Sequence, residues 1–329
     1  MPAFQRLQTG YNTRNPTEDD IPGIVKLIYE HEMAETGKAD YYEPEDILTD
    51  WERLEPERDA WLVVAPDGSF AGYGTLTAEP ESGRIFADGY VHPTHYGRGI
   101  GTTLVELTEA RAAELVPEMP EGIRIVLVNN VIAESEAART LLESHNYELK
   151  RVYFRMHILM EKPPQLPVWS RGITVRLCDG SEEDIHRAYE TIEEGFKDHW
   201  AHTPRSFEHW RHAMVEREAF DPSLWFFAVD ETSGEIVGAT LSRVREEGNG
   251  WIDQVAVLRP WRKRGLGEAL LRHAFDAFYR RNIKQVGLGV DGQSLTGAQR
   301  LYERVGMHVT MHIGRYEKEL RAGEDLQEE

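Results

Sequence analysis

The sequence predicts an α/β fold built from two consecutive, similar domains. Its 329 residues match about two domains of ordinary size, and 40% of them are hydrophobic, which suffices for two cores. Three prolines within five residues interrupt the chain between residues 161 and 170, because proline suits neither a helix interior nor a central strand. The same order of helix-like and strand-like patterns occurs on both sides of this segment. We therefore expect domains at residues 1–160 and 171–320, a linker at 161–170 and an acidic tail at 321–329, which should fray.

Charge and cysteine content exclude several classes of protein. The chain has 37 Lys and Arg against 57 Asp and Glu, a net charge of −20 that repels nucleic-acid backbones and anionic lipids. Its single cysteine, Cys178, allows neither an intramolecular disulfide nor a thiolate metal cage. No stretch approaches the roughly 18 apolar residues of a membrane span, and the first residues lack a signal-peptide pattern. We expect a cytoplasmic protein that binds no nucleic acid and no membrane.

Each half of the chain begins with signals for a helix and a hairpin. Thr17 in the first half and Ser181 in the second precede three acidic residues and an amphipathic stretch, which predicts a capped helix start. Two strand-like runs around a glycine-containing turn follow at 61–76 and again at 225–244. Both halves are therefore expected to open with the same elements.

A strand, a basic glycine loop and an amphipathic helix come next in the second half. The strand pattern covers 252–257, and the loop consists of Arg262, Lys263, Arg264, Gly265, Leu266 and Gly267. Glycines let the backbone approach a ligand, and successive N–H groups, the start of a helix and three cations together suit a diphosphate. The pattern is neither a P-loop nor the GxGxxG fingerprint, and taken alone it also fits a solvated turn.

The first half contains a matching loop, which supports an internal repeat. Gly99 aligns with Gly265, and Leu141 aligns with Leu301. Asn146 stands where the second half has Gly306, and these two residue types best tolerate the left-handed conformation that ends a helix. The two halves are therefore interpreted as one unit repeated.

The second half resembles the GCN5-related N-acetyltransferase (GNAT) family. R-x-x-G-x-G follows V-A-V-x-x-x-W, and A-x-x-L-Y-x-x-x-G-M comes some 30 residues later, with the strongest match from Trp251 to Met307. The resemblance covers nearly the whole chain as two tandem GNAT-like domains. It implies that each domain is a mixed, mainly antiparallel sheet flanked by helices, with a V-shaped opening between two central strands.

The resemblance also implies acetyl-CoA as the cosubstrate and no metal. The loop amides from Arg262 to Gly267 would bind its pyrophosphate, and Val255, Ala256 and Val257 would offer backbone groups to the pantetheine arm. The first half has Tyr96 where the family usually has Arg or Gln, but it keeps the glycines. A second candidate cofactor site therefore comprises Gly97, Arg98, Gly99, Ile100 and Gly101, unless this loop is only a structural remnant of duplication.

Acetyl transfer needs a neutral amine, a polarised carbonyl and a proton source for the departing thiolate. By resemblance, the hydroxyl of Tyr302 is the general acid, whereas the matching Leu142 of the first half cannot donate a proton. Asp253 is a candidate base for the incoming amine, although it could instead end a strand ladder or pair with an arginine. Ala87 matches it in the first half, with Asp88 adjacent if the register differs by one. We expect a catalytic second domain and a degenerate first domain.

Residues 193–210 border the acceptor site in the family, and they combine aromatic residues with a carboxylate. Such walls suit a cationic amine, which the net charge of −20 would also attract. The alternative is that these aromatic side chains pack in a core. The histidines of this segment lack cysteine partners and an HExxH pattern, so we expect no metal site. The candidate substrate contacts are Phe196, Asp198, His199 and Trp200.

The sequence therefore predicts an acetyl-CoA-dependent N-acetyltransferase that acts on the primary amine of a small molecule, such as an aminoglycoside-like antibiotic, a polyamine or a sugar amine. One alternative follows from a layout similar to that of mycothiol synthases, which acetylate the cysteinyl amine of a pseudodisaccharide. Others are acetylation of a protein and a CoA-binding regulatory protein in which neither domain is catalytic. The duplicated chain fits a monomer or a homodimer.

Overall fold

The computed structural model describes residues 6–37, 44–197, 205–216, 219–245, 248–293 and 297–326. The helices within these ranges are α1 Ile21–Thr36, α2 Pro44–Trp51, α3 Pro56–Asp59, α4 Ile100–Leu115, α5 Glu136–Ser144, α6 Glu182–Phe196, α7 Phe207–Val215, α8 Leu266–Arg280 and α9 Ala298–Arg304. The strands are β1 Asn12–Arg14, β2 Ala60–Val64, β3 Phe70–Glu79, β4 Arg84–Val91, β5 Ile125–Ile132, β6 Glu148–Leu159, β7 Ile173–Leu177, β8 Phe226–Asp230, β9 Ile236–Val244, β10 Gly250–Val257, β11 Gln285–Asp291 and β12 His308–Arg321. None of the described helices has both the length and the apolar composition needed to cross a membrane.

The chain forms two compact units whose final strands are exchanged. The first unit comprises Met1–Val152 and Met311–Glu329, and the second unit comprises Tyr153–Thr310. Strand β6, from the first half of the sequence, pairs with β11 in the second unit. Strand β12, from the second half, pairs with β5 in the first unit. The compact units therefore differ from the two halves of the sequence.

The proline-rich segment at 161–170, which we expected between the domains, lies within the second unit. Trp169 packs against the core of this unit, and the hydroxyl of Ser170 donates a hydrogen bond of 2.6 Å to the carbonyl oxygen of Arg264. The segment therefore supports the basic loop. Sequence patterns do not reveal the exchange because the two final strands are copies of one repeat, and each has the pattern to complete either sheet.

Each sheet is mixed and mainly antiparallel, as predicted. The strand order is β1-β2-β3-β4-β5-β12 in the first unit and β7-β8-β9-β10-β11-β6 in the second. Within each order, β4 with β5 and β10 with β11 are the parallel pairs. The predicted hairpins are β2–β3 and β8–β9. The parallel pair at the centre of each sheet is where the candidate site forms.

Helices cover both faces of each sheet, so each sheet has one hydrophobic core on each of its faces. In the second unit, α8 and α9 pack on one face, and α6 and α7 pack on the other around the fully buried Trp210. Val255 and Val257 contact the α8 and α9 side while Ala256 contacts the α6 side, as strand alternation requires. In the first unit, α4 and α5 take one face, and α1 and α2 take the other.

The two helix starts repeat the same ion pair. Arg14 bonds both carboxyl oxygens of Asp20 at 2.7 and 2.6 Å, and Arg176 bonds both oxygens of Asp184 at 2.6 and 2.7 Å. Ser181 caps α6 by accepting from the Asp184 amide at 3.2 Å, which confirms the predicted start of this helix. The bond from Arg14 lowers the pKa of Asp20 to about 2, even though burial opposes this shift.

The expectation that the tail frays is wrong for its described part. The carboxylate of Asp325 accepts hydrogen bonds from Arg84 at 3.1 Å and Arg124 at 2.8 Å, and Arg84 is 1% exposed. The Arg124 amide also donates to the Glu324 carbonyl at 2.8 Å. Arg84 and Arg124 are distant in sequence from the tail, so its composition alone gives no sign that buried guanidinium groups need these acids.

We predict that Asp20→Asn lowers the free energy of unfolding by about 1 to 2 kcal/mol at pH 7. The pKa of Asp20 falls from 3.8 to about 2 on folding, so its carboxylate stabilises the fold above pH 4 and loses this effect as the pH falls towards 2. Urea unfolding at pH 7, 4 and 3 should show a shrinking difference from the wild type. Glu18→Gln, which removes an exposed carboxylate from the same turn, is the control. A loss that does not change with pH would contradict the ion-pair account.

Candidate active site

The parallel strands β10 and β11 separate shortly after they begin. They pair at Gly250↔Val286 and Trp251↔Gly287, whereas β10 continues to pair with β9 as far as Val257. A register shift between Ile252 and Gln254 marks a β-bulge, which adds a residue and bends the strand. The edge of β10 that faces away from β9 is therefore open beyond the bulge. This edge includes the backbone of residues 255–257, which the sequence predicts to contact the cofactor.

The loop after β10 has the conformation of an anion-binding site. Lys263 has φ +60° and Gly265 has φ +79°, and Leu266 begins α8 immediately afterwards. Alternating left-handed residues turn neighbouring N–H groups towards one point, and the helix start adds its partial positive charge. A Cβ atom at Gly265 would meet nothing within 4 Å, so the space above this residue is open. The loop therefore fits the predicted diphosphate.

The remaining loop residues hold this conformation in place. Leu266 is 2% exposed and anchors the helix start in the core. A Cβ atom at Gly267 would lie 3.0 Å from Leu301, so this glycine allows α8 to approach α9 closely. The guanidinium of Arg264 lies 4.7 Å from the ring centroid of Trp261, where a cation–π contact orients it.

Arg262 acts on the strand end rather than presenting its charge to the loop. Its Nε donates to the Val257 carbonyl at 3.0 Å, and its terminal nitrogen donates to the Gly195 carbonyl at 3.0 Å. These bonds tie α6 to the end of β10. A Cβ atom at Gly195 would lie 2.6 Å from the Cβ of Ala256, so glycine is what permits this close approach.

The loop of the first unit has the same backbone. Gly97 and Gly99 have φ +73° and +80°, and Ile100 begins α4 with 1% exposure. Tyr96, at the position of Arg262, donates its hydroxyl to Glu35 at 2.7 Å and so ties this loop to α1. Arg98 donates to Gln8 at 2.9 Å. The first loop therefore keeps the geometry of a phosphate site with different supporting side chains.

Tyr302 lies in α9, within the same core cluster as Val255 and Val257. It is 9% exposed, and burial raises the pKa of its phenol to about 12. The hydroxyl therefore stays protonated at neutral pH, as a proton or hydrogen-bond donor must. The corresponding Leu142 of α5 is 3% exposed and packs in the core of the first unit.

Asp253 is the additional residue of the β10 bulge. Its side chain is 10% exposed, and Oδ1 lies 3.4 Å from the Nε of Arg243 on β9. Strand β4 pairs with β3 without a bulge, and Gly72↔Val91 and Gly238↔Val257 are equivalent pairs. Asp253 therefore has no counterpart in the first unit. The sequence alignment paired Asp253 with Ala87, but in the structure Asp88 occupies the position of Gln254.

Asp88 is an acidic residue on the open part of β4 in the first unit. Its side chain is exposed to solvent, and desolvation by neighbouring groups together with the charge of Asp50 raises the pKa of its carboxyl. Asp50 lies at the end of α2, beside Trp51. The first unit thus has a carboxylate near its strand opening but no phenol at the position of Tyr302.

One of the predicted substrate contacts can be located. Phe196 is the last residue of α6 and packs, half-buried, at the edge of the α6 and α7 core. Asp198, His199 and Trp200 lie outside the described residues. Cys178 is 4% exposed and burial raises the pKa of its thiol to about 11, so it does not supply a reactive thiolate. The described residues contain no group of three or more His, Cys, Asp or Glu side chains that could hold a metal ion.

Some side chains beside the site were not singled out from the sequence. Arg243 on β9 and Arg155 and His157 on β6 share the second unit with Asp253. Arg155 and His157 belong to the first half of the sequence, so only the exchange of strands brings them to this sheet. The pattern V-Y-F-R-M-H-I in β6 has the alternation of a strand, but it gives no indication of which sheet the strand joins.

A split central parallel pair, a glycine loop at a helix start and a buried phenol are the features that the resemblance to the acetyltransferases predicts for this unit. A family model described as the acetyltransferase (GNAT) family matches residues 25–147 and 184–307. The chain therefore belongs to the GNAT family of acetyltransferases, with two GNAT domains in tandem.

Several solved structures and curated relatives are similar to this chain. A GCN5-related N-acetyltransferase from Sphaerobacter thermophilus is 38% identical with a TM-score of 0.85, covering 98% of this chain and 99% of its own. A tandem GNAT protein from the clavulanic acid biosynthesis pathway shares the fold, with a TM-score of 0.72, 13% identity and coverage of 95% and 100%. Mycothiol acetyltransferases of Amycolatopsis mediterranei and Streptomyces griseus are 28% and 29% identical over 74% of this chain and 79% and 75% of their own lengths.

Proposed function

We propose that the second unit transfers an acetyl group from acetyl-CoA to a primary amine of a small molecule. The observation that carries this proposal is the opening between β10 and β11, which has the loop of residues 262–267 at its end and Tyr302 in the adjoining core. The first unit has a similar opening and loop but Leu142 in place of the phenol. Family membership supports the reaction class, and these residues support its assignment to the second unit.

The chain's own residues divide the work of binding. The backbone amides from Lys263 to Gly267 bind the pyrophosphate, since their left-handed turns and the start of α8 direct N–H groups outward. Val255, Ala256 and Val257 present backbone groups along the open edge of β10 to the pantetheine arm. Acetyl-CoA supplies the thioester, whose carbonyl carbon then lies in the opening.

Two side chains handle protons. As the amine nitrogen bonds to the acetyl carbon and the carbon–sulfur bond breaks, Tyr302 donates a hydrogen bond and then its proton to the departing sulfur. Asp253 accepts the proton that the amine loses, directly or through water, while its ion pair with Arg243 holds it beside the bulge. The acetyl group passes directly from sulfur to nitrogen, so no covalent enzyme intermediate is required.

A second candidate acceptor is the amine that mycothiol acetyltransferases use. Those enzymes share 28% and 29% identity with this chain over 74% of its length. This similarity supports the same acceptor for this chain. A regulatory protein that binds CoA without turnover is less consistent with the site, because a sensor has no use for a phenol at the leaving sulfur. Release of free thiol in the presence of each acceptor distinguishes these functions.

We predict that Gly265→Asp abolishes acetyl-CoA binding to the second unit, because a carboxylate would replace open space in the phosphate site and left-handed backbone disfavours a side chain. Gly99→Asp makes the same change in the first loop. Calorimetry should show that Gly265→Asp removes acetyl-CoA binding to the second unit. A thiol-release assay should show that Gly265→Asp prevents turnover, whereas Gly99→Asp does not. Any remaining binding stoichiometry then reports whether the loop of residues 97–101 holds a second cofactor. A wild-type protein that binds no acetyl-CoA would contradict the proposed function.

We predict that Tyr302→Phe lowers kcat by about a hundredfold or more while acetyl-CoA affinity stays within about twofold. The phenol meets the sulfur only as the bond breaks, so its loss affects turnover more than binding. Tyr147→Phe is the matched control, because Tyr147 is also buried, at 3% exposure, beside the corresponding helix of the first unit. Equal kcat values for the two variants in a thiol-release assay would remove Tyr302 from the mechanism.

A further inference from the structure

The segment that leads into the first strand of each unit has the same structure in both units. Residues 7–11 form the first strap, and residues 169–173 form the second strap. The first strap begins seven residues before Arg14, and the second begins seven residues before Arg176. These two arginines form the ion pair that is repeated at the helix starts. The two straps are therefore copies of one element of the repeat.

An apolar anchor and a tight turn hold each strap in place. Leu7 packs against the core of the first unit, and Trp169 packs against the core of the second. In the second strap the Ile173 amide donates to the Ser170 carbonyl at 3.1 Å, and the first strap has the equivalent bond at 3.2 Å over residues 8–11. The single glycine of each strap has a left-handed backbone, with φ +95° in the first and +79° in the second. Both straps therefore present the residue after the anchor in a fixed position.

That residue donates a hydrogen bond to the same position of the glycine loop in both units. The hydroxyl of Ser170 donates to the carbonyl oxygen of Arg264 at 2.6 Å. The backbone amide of Gln8 donates to the carbonyl oxygen of Arg98 at 3.0 Å. Each of these arginines precedes the glycine after which the helix begins. One unit uses a side chain and the other uses its backbone, so the repeated feature is the bond to this carbonyl.

The carbonyl of Arg264 determines the direction of the next N–H group. It shares a planar trans peptide with the amide of Gly265, so the carbonyl and the N–H point in opposite directions. A bond that holds the carbonyl towards the strap therefore turns the Gly265 N–H away from the strap. Glycine has a wide choice of backbone dihedrals, so this peptide could otherwise rotate. Rotation would replace an N–H donor in the anion site with a carbonyl oxygen, which repels phosphate.

We propose that Ser170 is a positioning residue for the cofactor, because its hydroxyl holds the Arg264–Gly265 peptide in the orientation that binds the diphosphate of acetyl-CoA. This inference rests on the proposed function, since it takes the loop of residues 262–267 as the diphosphate site. Ser170 acts through this peptide and takes no part in acetyl transfer itself. The bond therefore increases affinity for acetyl donors that carry a diphosphate and leaves the chemical step unchanged.

The test compares acetyl-CoA with S-acetylpantetheine, which has the same thioester arm and no phosphate. Thiol release is measured with whichever of glucosamine, spermidine and kanamycin gives the fastest turnover. Ser170→Ala should raise the KM for acetyl-CoA about three- to tenfold, with kcat within about twofold of the wild type. The kcat/KM for S-acetylpantetheine should stay within about twofold, because this donor has no group for the loop to bind. A variant that merely distorts the unit would impair both donors.

Two further variants differ only in the hydroxyl. Ser170→Thr keeps the donor and should restore the KM for acetyl-CoA, whereas Ser170→Val replaces the hydroxyl with a methyl group and should behave like Ser170→Ala. Ser144→Ala is the matched control, because the Ser144 hydroxyl donates to the Leu141 carbonyl at 2.7 Å in the first unit. It should leave both donors unaffected. Equal KM values for acetyl-CoA in the Thr and Val variants, or an equal loss with both donors, would overturn the proposal.

Calorimetry with acetyl-CoA separates this inference from the proposed function. Ser170→Ala and its parent are both titrated in the Gly99→Asp background, in which the first loop is blocked. If binding weakens about three- to tenfold while no amine is acetylated, the role of Ser170 stands and the proposed function fails. If acetyl transfer occurs and the affinity for acetyl-CoA does not change, the proposed function stands and the role of Ser170 is overturned. A parent protein that binds no acetyl-CoA would overturn both.

Discussion

The separation of β10 from β11 is the constraint on which the rest of the site depends. The two strands pair over two residue pairs, and the bulge at Asp253 then turns β10 away. Its far end is fixed because Arg262 bonds the Val257 carbonyl and the Gly195 carbonyl, both at 3.0 Å. The absence of a side chain at Gly195 lets α6 lie against Ala256. The backbone groups of β10 that face this opening lack a partner strand, and these contacts hold the opening in one geometry.

The duplicated units keep this backbone geometry and differ in the groups that support it. Each loop has two residues in the left-handed conformation, and the first of them is Gly97 in one loop and Lys263 in the other. The carbonyl of Val91 accepts a hydrogen bond of 3.0 Å from His31, where Val257 uses Arg262. Burial lowers the pKa of His31, which favours the neutral ring in this role. The catalytic side chains have diverged further, since a buried phenol and a carboxylate at a β-bulge occur together in the second unit.

Local patterns predicted the elements and the loop because their causes are local. Capping residues, the alternation of the hairpins and the glycines of residues 262–267 each act within a few positions of the chain. The left-handed conformations of Asn146 and Gly306, at φ +66° and +95°, are confirmed for the same reason. The exchange of β6 and β12, the anchoring of Asp325 and the bulge at Asp253 depend on partners distant in sequence. A single sequence contains no signal for such partners when two copies of one repeat compete for them.

Hydrogen exchange of the backbone amides, measured with and without acetyl-CoA, tests the central claim most directly. The account predicts that acetyl-CoA slows exchange in peptides covering residues 254–257 and 263–267, because the open edge of β10 and the loop amides then bind the ligand. Protection confined to residues 88–91 and 97–101 would contradict the account. It would place the cofactor in the first unit, where Leu142 offers no proton to the sulfur.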